Sequence, residues 1–112
     1  MSVKTHTNAV KMVLLELSKL GCVAARREVG LFFAQDGSLH YIGVPGEADI
    51  QGIRPPDGRG IGVEVKIGAD RPRKKQKMWA EGFRARGGIA GVCRPDKEGW
   101  EDDLRELVNE SR

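Results

Sequence analysis

The chain has 112 residues, of which 39% are apolar and 31% are charged, and 19 lysines and arginines against 16 acids leave a net charge of +3. This length predicts one domain over residues 1–112, and the apolar fraction is too high for intrinsic disorder. No stretch has the roughly 20 apolar residues of a membrane span or the plan of a signal peptide, and the cysteines are too few for a disulfide framework. We therefore expect an intracellular, cytoplasmic protein without a membrane partner, in the host cytoplasm if a phage encodes it.

The charge is distributed unevenly along the chain. Residues 1–95 hold 16 bases and 9 acids, whereas residues 96–111 hold 2 bases and 7 acids. The densest basic run spans residues 71–77. Such a run is typical either of a solvated helix face or of a patch that contacts phosphates, and composition alone does not separate these two roles.

Apolar periodicity and turn residues predict a series of short elements. In the first helix, apolar residues recur at helical spacing from Val10 to Leu20, and Gly21 suits the position that follows a helix end. The predicted elements, in chain order, are a helix over 5–20, extended segments over 22–28, 31–35 and 39–42, strands over 48–54 and 61–67, a helix over 73–86, a strand over 89–93, and a helix over 98–109. This order predicts an α/β fold with one mixed sheet flanked by helices.

The strand over 61–67 carries the first candidate site residues. Its alternation directs the apolar side chains to one face and Glu64 and Lys66 to the other. Charged side chains on an internal strand are usually paired or used, so Glu64 and Lys66 form either a structural ion pair or part of a site. Asp49 begins the preceding strand, and a hairpin through the turn at 55–60 is expected to bring position 49 next to position 66.

Asp49, Glu64 and Lys66 together fit the hydrolysis of a phosphodiester bond. Two carboxylates bind a hard cation such as Mg²⁺ or Mn²⁺, which polarises a phosphoryl oxygen and lowers the pKa of water. A neighbouring ammonium orients that water or stabilises developing negative charge. On the next helix, Gln76 shares the inward face with Trp79, where it either caps a buried backbone group or reaches a metal-bound water or a phosphate.

These segments resemble the VRR-NUC family, a branch of the PD-(D/E)XK nucleases. The resemblance covers about residues 6–94 and includes Arg26 and Gly30. Its motifs are Gly43-Val44-Pro45-Gly46-Glu47-Ala48-Asp49-Ile50, Val63-Glu64-Val65-Lys66, Gln76-Lys77-Met78-Trp79 and Gly87-Gly88-Ile89-Ala90. It implies a restriction-endonuclease-like core with the order α-β-β-β-α-β-α.

The resemblance also implies roles for individual residues. Asp49, Glu64 and the backbone carbonyl of Val65 would bind Mg²⁺ or Mn²⁺. Lys66 would position the attacking water, and Gln76 would support the site. The implied activity is cleavage of DNA, with branched, flap or junction structures as substrates, by a homodimer. Basic side chains are expected to hold the DNA backbone beside the site, namely Arg26, Arg71, Arg73, Lys74, Lys75 and Lys77.

One position departs from the family pattern. The family has a glutamate early in the first helix, whereas this chain has His6 at the corresponding distance from Gly21. His6 lies on the same predicted face as Val10, and three roles stay open for it: a metal ligand, a phosphate contact, or an ordinary polar residue at a frayed helix end. The missing acid keeps a second function open, a catalytically impaired nucleic-acid-binding module of the same fold. A plain scaffold with a Glu64–Lys66 ion pair is the third reading.

Overall fold

A computed structural model of the chain describes residues 5–27 and 30–110. In chain order, the elements are α1 His6–Lys19, β1 Val23–Arg26, β2 Gly30–Phe33, β3 Leu39–Ile42, β4 Ile50–Ile53, β5 Gly60–Val65, α2 Lys74–Ala85, β6 Ile89–Cys93 and α3 Trp100–Val108. Each predicted helix and strand is present, and its ends differ from the prediction by at most two residues. Residue 28, the last of the predicted segment 22–28, lies outside the described residues.

The main sheet has four strands in the order β1-β4-β5-β6. The first two pairs are antiparallel, and β5 pairs with β6 in parallel. Strands β2 and β3 form a separate antiparallel hairpin, inserted between β1 and β4. Without that hairpin, the helices and the main sheet follow the predicted order α-β-β-β-α-β-α. The α/β class with a mixed sheet is therefore confirmed, and the arrangement is compatible with a restriction-endonuclease-like core.

The alternation of β5 separates the two faces of the main sheet. Its residues Ile61, Val63 and Val65 are buried in one core with the inner faces of α1 and α3. Gly62 and Glu64 lie on the opposite face, beneath α2. The final helix packs on its own domain through buried apolar residues. In the described part of the chain, no helix is long and apolar enough to span a membrane.

The first helix begins and ends at residues suited to those positions. The hydroxyl of Thr5 accepts a hydrogen bond from the backbone N–H of Asn8 at 3.1 Å, which satisfies a donor that would otherwise lack a partner in the first turn. Gly21 follows the helix with a φ of +84°, a conformation that glycine adopts without a steric penalty. These ends fix the first residue of the helix, His6, at one end of the sheet.

The β4–β5 hairpin forms as predicted, but the predicted register is wrong by two residues. Ile50 pairs with Val63, so the ladder directs position 49 toward position 64 instead of position 66. The physical reason lies in the turn, where the backbone N–H of Arg54 donates to the carbonyl of Arg59 at 3.0 Å. The carboxylate of Asp57 stabilises this shorter turn by accepting hydrogen bonds from the Arg54 side chain and from the Arg59 backbone.

Candidate active site

The predicted site residues meet where β5 ends. Asp49 directly precedes β4, and its Oδ2 accepts a hydrogen bond from the backbone N–H of Val65 at 2.8 Å. His6 reaches the same place from the start of α1, with its Nε2 3.0 Å from the Val65 carbonyl oxygen and 3.3 Å from Asp49 Oδ2. Three elements that are distant in sequence therefore converge on one residue of the strand end.

His6 contacts the site through one ring nitrogen, Nε2. A carbonyl oxygen only accepts hydrogen bonds, so the Nε2 atom of His6 carries the hydrogen that it donates to Val65. In this arrangement that nitrogen has no free lone pair for a metal ion. His6 instead contacts two of the groups predicted to bind metal, the Asp49 carboxylate and the Val65 carbonyl.

Glu64 and Lys66 lie beside Asp49 and are largely shielded from water. Each residue is 7% exposed, and the Lys66 ammonium is 3.5 Å from Glu64 Oε1. Burial, and then the hydrogen bond and negative charge of Asp49, raise the pKa of Glu64 to about 8, although the nearby Lys66 charge opposes the shift. The raised pKa favours the protonated form of the Glu64 carboxyl group at neutral pH.

Gln76 is fixed at both ends of its amide group. Its Oε1 accepts a hydrogen bond from the backbone N–H of Arg73 at 2.7 Å, which caps the first turn of α2. Its Nε2 donates to Glu64 Oε1 at 3.2 Å. Gln76 therefore caps a backbone group, but that group belongs to the exposed Arg73 and is not buried as predicted. The same side chain orients the Glu64 carboxylate.

The loop before Asp49 packs directly on the start of α2. Gly46 has a φ of +82°, and a Cβ atom at this position would lie 2.2 Å from the carbonyl oxygen of Lys75. Such a contact is impossible without movement of the backbone, so only glycine permits this approach. The loop thereby fixes the position of Asp49 relative to Gln76.

We expect Gly46→Ala to lower the free energy of unfolding by more than the cost of placing alanine at a positive φ. The strained φ costs on the order of 1 kcal/mol, and displacement of the loop from α2 adds to that cost. Urea unfolding measures the change. Gly58→Ala is the matched control, because Gly58 has a φ of +70° but no atom within 4 Å of the place that a Cβ would occupy. Equal losses for the two variants would contradict the importance of the close approach.

Glu47 and Arg27 stabilise the loop that precedes Asp49, and the sequence analysis did not predict this role for either residue. The Glu47 carboxylate accepts hydrogen bonds from the Val44 backbone at 3.0 Å, from Gln51 at 2.5 Å and from Arg27 at 2.9 Å. Burial pushes the pKa of Glu47 upward, but these hydrogen bonds and the Arg27 charge outweigh it and leave the pKa below its usual value. No periodicity marks Glu47, since its partners come from the loop and two strand ends.

The predicted nucleic-acid contacts are exposed side chains at the same end of the sheet. Arg26 ends β1 and pairs across the ladder with Ile50, the residue that follows Asp49. The others lie just before α2 or in its first turn, next to Gln76, and these are Arg71, Arg73, Lys74, Lys75 and Lys77. The first turn of α2 contains no acid, so these bases and the positive end of the helix dipole reinforce one another.

The oxygen ligands at this site fit a hard cation that takes its remaining ligands from water or from the substrate. Asp49, Glu64 and the Val65 carbonyl supply oxygen atoms, which Mg²⁺ and Mn²⁺ prefer. Within residues 5–27 and 30–110, no group of three or more His, Cys, Asp or Glu side chains is arranged to hold a metal ion. Mg²⁺ commonly uses only one or two carboxylates and completes its shell with water and substrate phosphate. The site thus fits a cation bound together with a phosphate.

No model of a known protein family matches the chain, and no curated protein matches it. The resemblance to the VRR-NUC family therefore stays a prediction, carried by the motifs and by the convergence of their residues.

Proposed function

We propose that the chain is a Mg²⁺- or Mn²⁺-dependent DNA endonuclease that hydrolyses phosphodiester bonds. The observation that carries this proposal is the contact between Asp49 and Glu64 beside the buried ammonium of Lys66. At one strand end, two carboxyl groups can hold a cation, and an amine and the neighbouring exposed basic side chains can contact a phosphate. A structural ion pair alone would not need the second carboxylate.

The carboxylate pair supports the metal part of the proposal. Burial first, and then the hydrogen bond and negative charge of Asp49, raise the pKa of Glu64 to about 8, and a cation would relieve the repulsion between the two carboxylates. When bound, the cation would supply Lewis-acid polarisation of a phosphoryl oxygen. Asp49, Glu64 and the Val65 carbonyl would hold it, with the proton of Glu64 released on binding.

The remaining side chains have roles that follow from their contacts. Lys66 donates hydrogen bonds to the attacking water and to the phosphoryl oxygens, where negative charge develops. Gln76 holds the Glu64 carboxylate in orientation through its amide N–H. The exposed bases at the start of α2 and Arg26 attract the DNA backbone, because their charges and the helix dipole have the same sign.

The substrate and the assembly are part of the same proposal. Branched, flap or junction DNA is the substrate that the resemblance to the VRR-NUC family implies, and the basic side chains of β1 and of the start of α2 would bind its backbone. A chain of 112 residues offers one such site, so a homodimer would supply the two sites needed to cut paired strands.

Cleavage assays test the proposal directly. Purified protein is incubated with end-labelled flap, four-way junction, single-stranded and duplex DNA, in Mg²⁺, Mn²⁺ or EDTA. We expect cuts only with a divalent cation and faster cutting of the branched substrates. Absence of cutting on every substrate and with both metals would contradict the nuclease.

The catalytically impaired binding module is the second candidate. It is favoured by His6, whose Nε2 atom contacts two of the predicted metal ligands. It is also favoured because residues 5–27 and 30–110 bring no group of three or more His, Cys, Asp or Glu side chains together to hold a metal. This candidate predicts DNA binding that weakens as salt rises and that needs no metal. Binding without cutting in the same assays would support it over the nuclease.

A further inference from the structure

A groove of about 650 Å³ lies beside the candidate active site, between the outer part of α2 and the start of β5. Its apolar lining comes from Met78, Trp79 and Phe83 of α2. Arg59 and Arg86 lie at its rim. Met78 and Trp79 belong to the motifs quoted for the nuclease resemblance, but the roles that the resemblance implies do not use this groove.

The two rings of the groove are held in a fixed arrangement. Trp79 and Phe83 are one helical turn apart and stack with their centroids 4.7 Å apart and their planes at 19°. A Cβ atom at Gly62 would lie 2.8 Å from the Trp79 ring, and one at Gly88 would lie 2.3 Å from the Phe83 ring. The rings therefore occupy space that Gly62 in β5 and Gly88 just before β6 leave open. Both side chains stay half-buried, so part of their surface borders the groove.

The rim of the groove is positively charged. The Arg59 guanidinium is held by the carbonyl oxygens of Gly87 at 2.7 Å and Glu110 at 3.1 Å. Arg86 donates to the carbonyl of Gly82 at 3.1 Å. Among the described residues, neither guanidinium forms an ion pair with a carboxylate. Both guanidinium groups place a positive charge at the rim of the groove, and a planar guanidinium also stacks on planar groups.

Trp79 relates the groove to the candidate active site. Trp79 follows Gln76 by one turn of α2, about 4.5 Å along the helix axis. On the sheet, Gly62 lies beneath Trp79 and precedes Glu64 by two residues on the same face, about 6.6 Å apart. One or two nucleotides span such a distance at the roughly 3.4 Å rise per nucleotide of stacked DNA.

We propose that this groove binds an unpaired DNA base next to the phosphate held at the site, so that the substrate has single-stranded nucleotides beside the cut. This inference rests on the proposed nuclease function. Fixed aromatic rings flanked by cations are the platform on which unpaired bases stack, since every base presents an apolar π-face attached to an anionic backbone. A base inside a duplex has its faces covered by its neighbours, so paired DNA would not fill the groove.

Tryptophan fluorescence tests this inference without any cleavage. The chain has two tryptophans, and Trp100→Phe leaves Trp79 as the sole reporter. The variant is titrated in EDTA with an eight-residue oligothymidylate and with an abasic oligonucleotide of the same length. We expect saturable quenching by the oligothymidylate and little change with the abasic chain. Equal responses to the two would overturn the inference, because they would assign the binding to the backbone alone.

Substitutions in the groove complete the test. Phe83→Leu is expected to weaken oligothymidylate binding, measured by anisotropy, about tenfold, while binding of the abasic chain stays unchanged. Phe33→Leu is the matched control, since its ring is 79% exposed on the β2–β3 hairpin. If Phe83→Leu unfolds, Met78→Ala, at an exposed position of the groove, is expected to weaken binding about threefold. Unchanged base preference in the folded groove variants would overturn the inference.

Two further outcomes are also decisive. A change of Trp79 fluorescence with protein concentration alone, together with dimerisation in sedimentation, would place a second copy in the groove and overturn the inference. Metal-dependent cutting by the native chain is measured separately. Cutting without base-dependent quenching would therefore contradict base binding in the groove but support the nuclease activity. Quenching without cutting would support base binding in the groove but contradict the nuclease activity.

Discussion

Replacing Lys66 with alanine is expected to lower metal-dependent DNA cleavage by at least about a hundredfold while the protein stays folded. The Lys66 ammonium is buried and lies 3.5 Å from Glu64 Oε1, so no mobile solvent cation replaces its charge readily. The fold should survive because Glu64 retains a proton when the opposing charge is removed. Single-turnover rates with Mn²⁺ measure the effect, and circular dichroism checks the fold.

Lys97→Ala is the matched control for this variant. Lys97 is an exposed lysine whose ammonium lies 3.4 Å from Asp103 Oδ2. The Lys97→Ala variant therefore loses the same atoms and an ion pair with a carboxylate, but away from the site. It should cut at the rate of the native chain. If Lys66→Ala also cuts at that rate, Lys66 has no catalytic role, and its pairing with Glu64 is structural. Equal DNA affinity of the two variants would attribute the lost cleavage to the chemical step.

Replacing Glu64 with glutamine is expected to remove most of the pH dependence of stability between about pH 5 and pH 8. In the folded protein the pKa of Glu64 is raised to about 8, whereas in the unfolded chain it returns to 4.5. Between these values the folded state holds a proton that the unfolded state has lost, so the free energy of unfolding falls as pH rises. The loss for the native chain is on the order of 1–3 kcal/mol, and the glutamine variant should show a much flatter profile.

The same carboxyl group links stability to metal. A cation displaces the proton of Glu64, so Mn²⁺ should raise the melting temperature of the native chain more at pH 8.5 than at pH 6. Glu64→Gln should lose most of this stabilisation at both pH values. Glu106→Gln, at an exposed position of α3, is the control and should behave as the native chain does. A stabilisation by Mn²⁺ that is the same at both pH values would argue against metal binding by the carboxylate pair.

Local patterns predicted most of the elements because the physical causes of those elements are local. The alternation in β5 assigned Ile61 and Val63 to the core and Glu64 to the opposite face, since a strand turns every second side chain to the same side. The apolar spacing from Val10 to Leu17 likewise predicted the buried face of α1. The convergence of Asp49 with the Glu64–Lys66 pair followed from the expectation of a hairpin, although the ladder is displaced by two residues.

The features that the sequence did not reveal depend on contacts between distant elements. The role of His6 stayed open because its partners, Asp49 and the Val65 carbonyl, lie more than 40 residues away. Glu47 had no recognisable pattern because it joins Arg27, Val44 and Gln51 across a loop. In both cases the sequence supplied the residue type, and the packing of α1 and of the loop selected the partner.

The sequence by itself determined the α/β class, the order of helices and strands, and the grouping of two acids and a lysine at one strand end. These features follow from side-chain periodicity and turn residues, which act over a few neighbours. The tertiary structure alone decided the register of β4 and β5, the contact of His6 with the site, and the aromatic groove beside it. The register depends on the backbone hydrogen bond between Arg54 and Arg59 in the turn. The groove depends on Gly62 and Gly88, which leave space for Trp79 and Phe83.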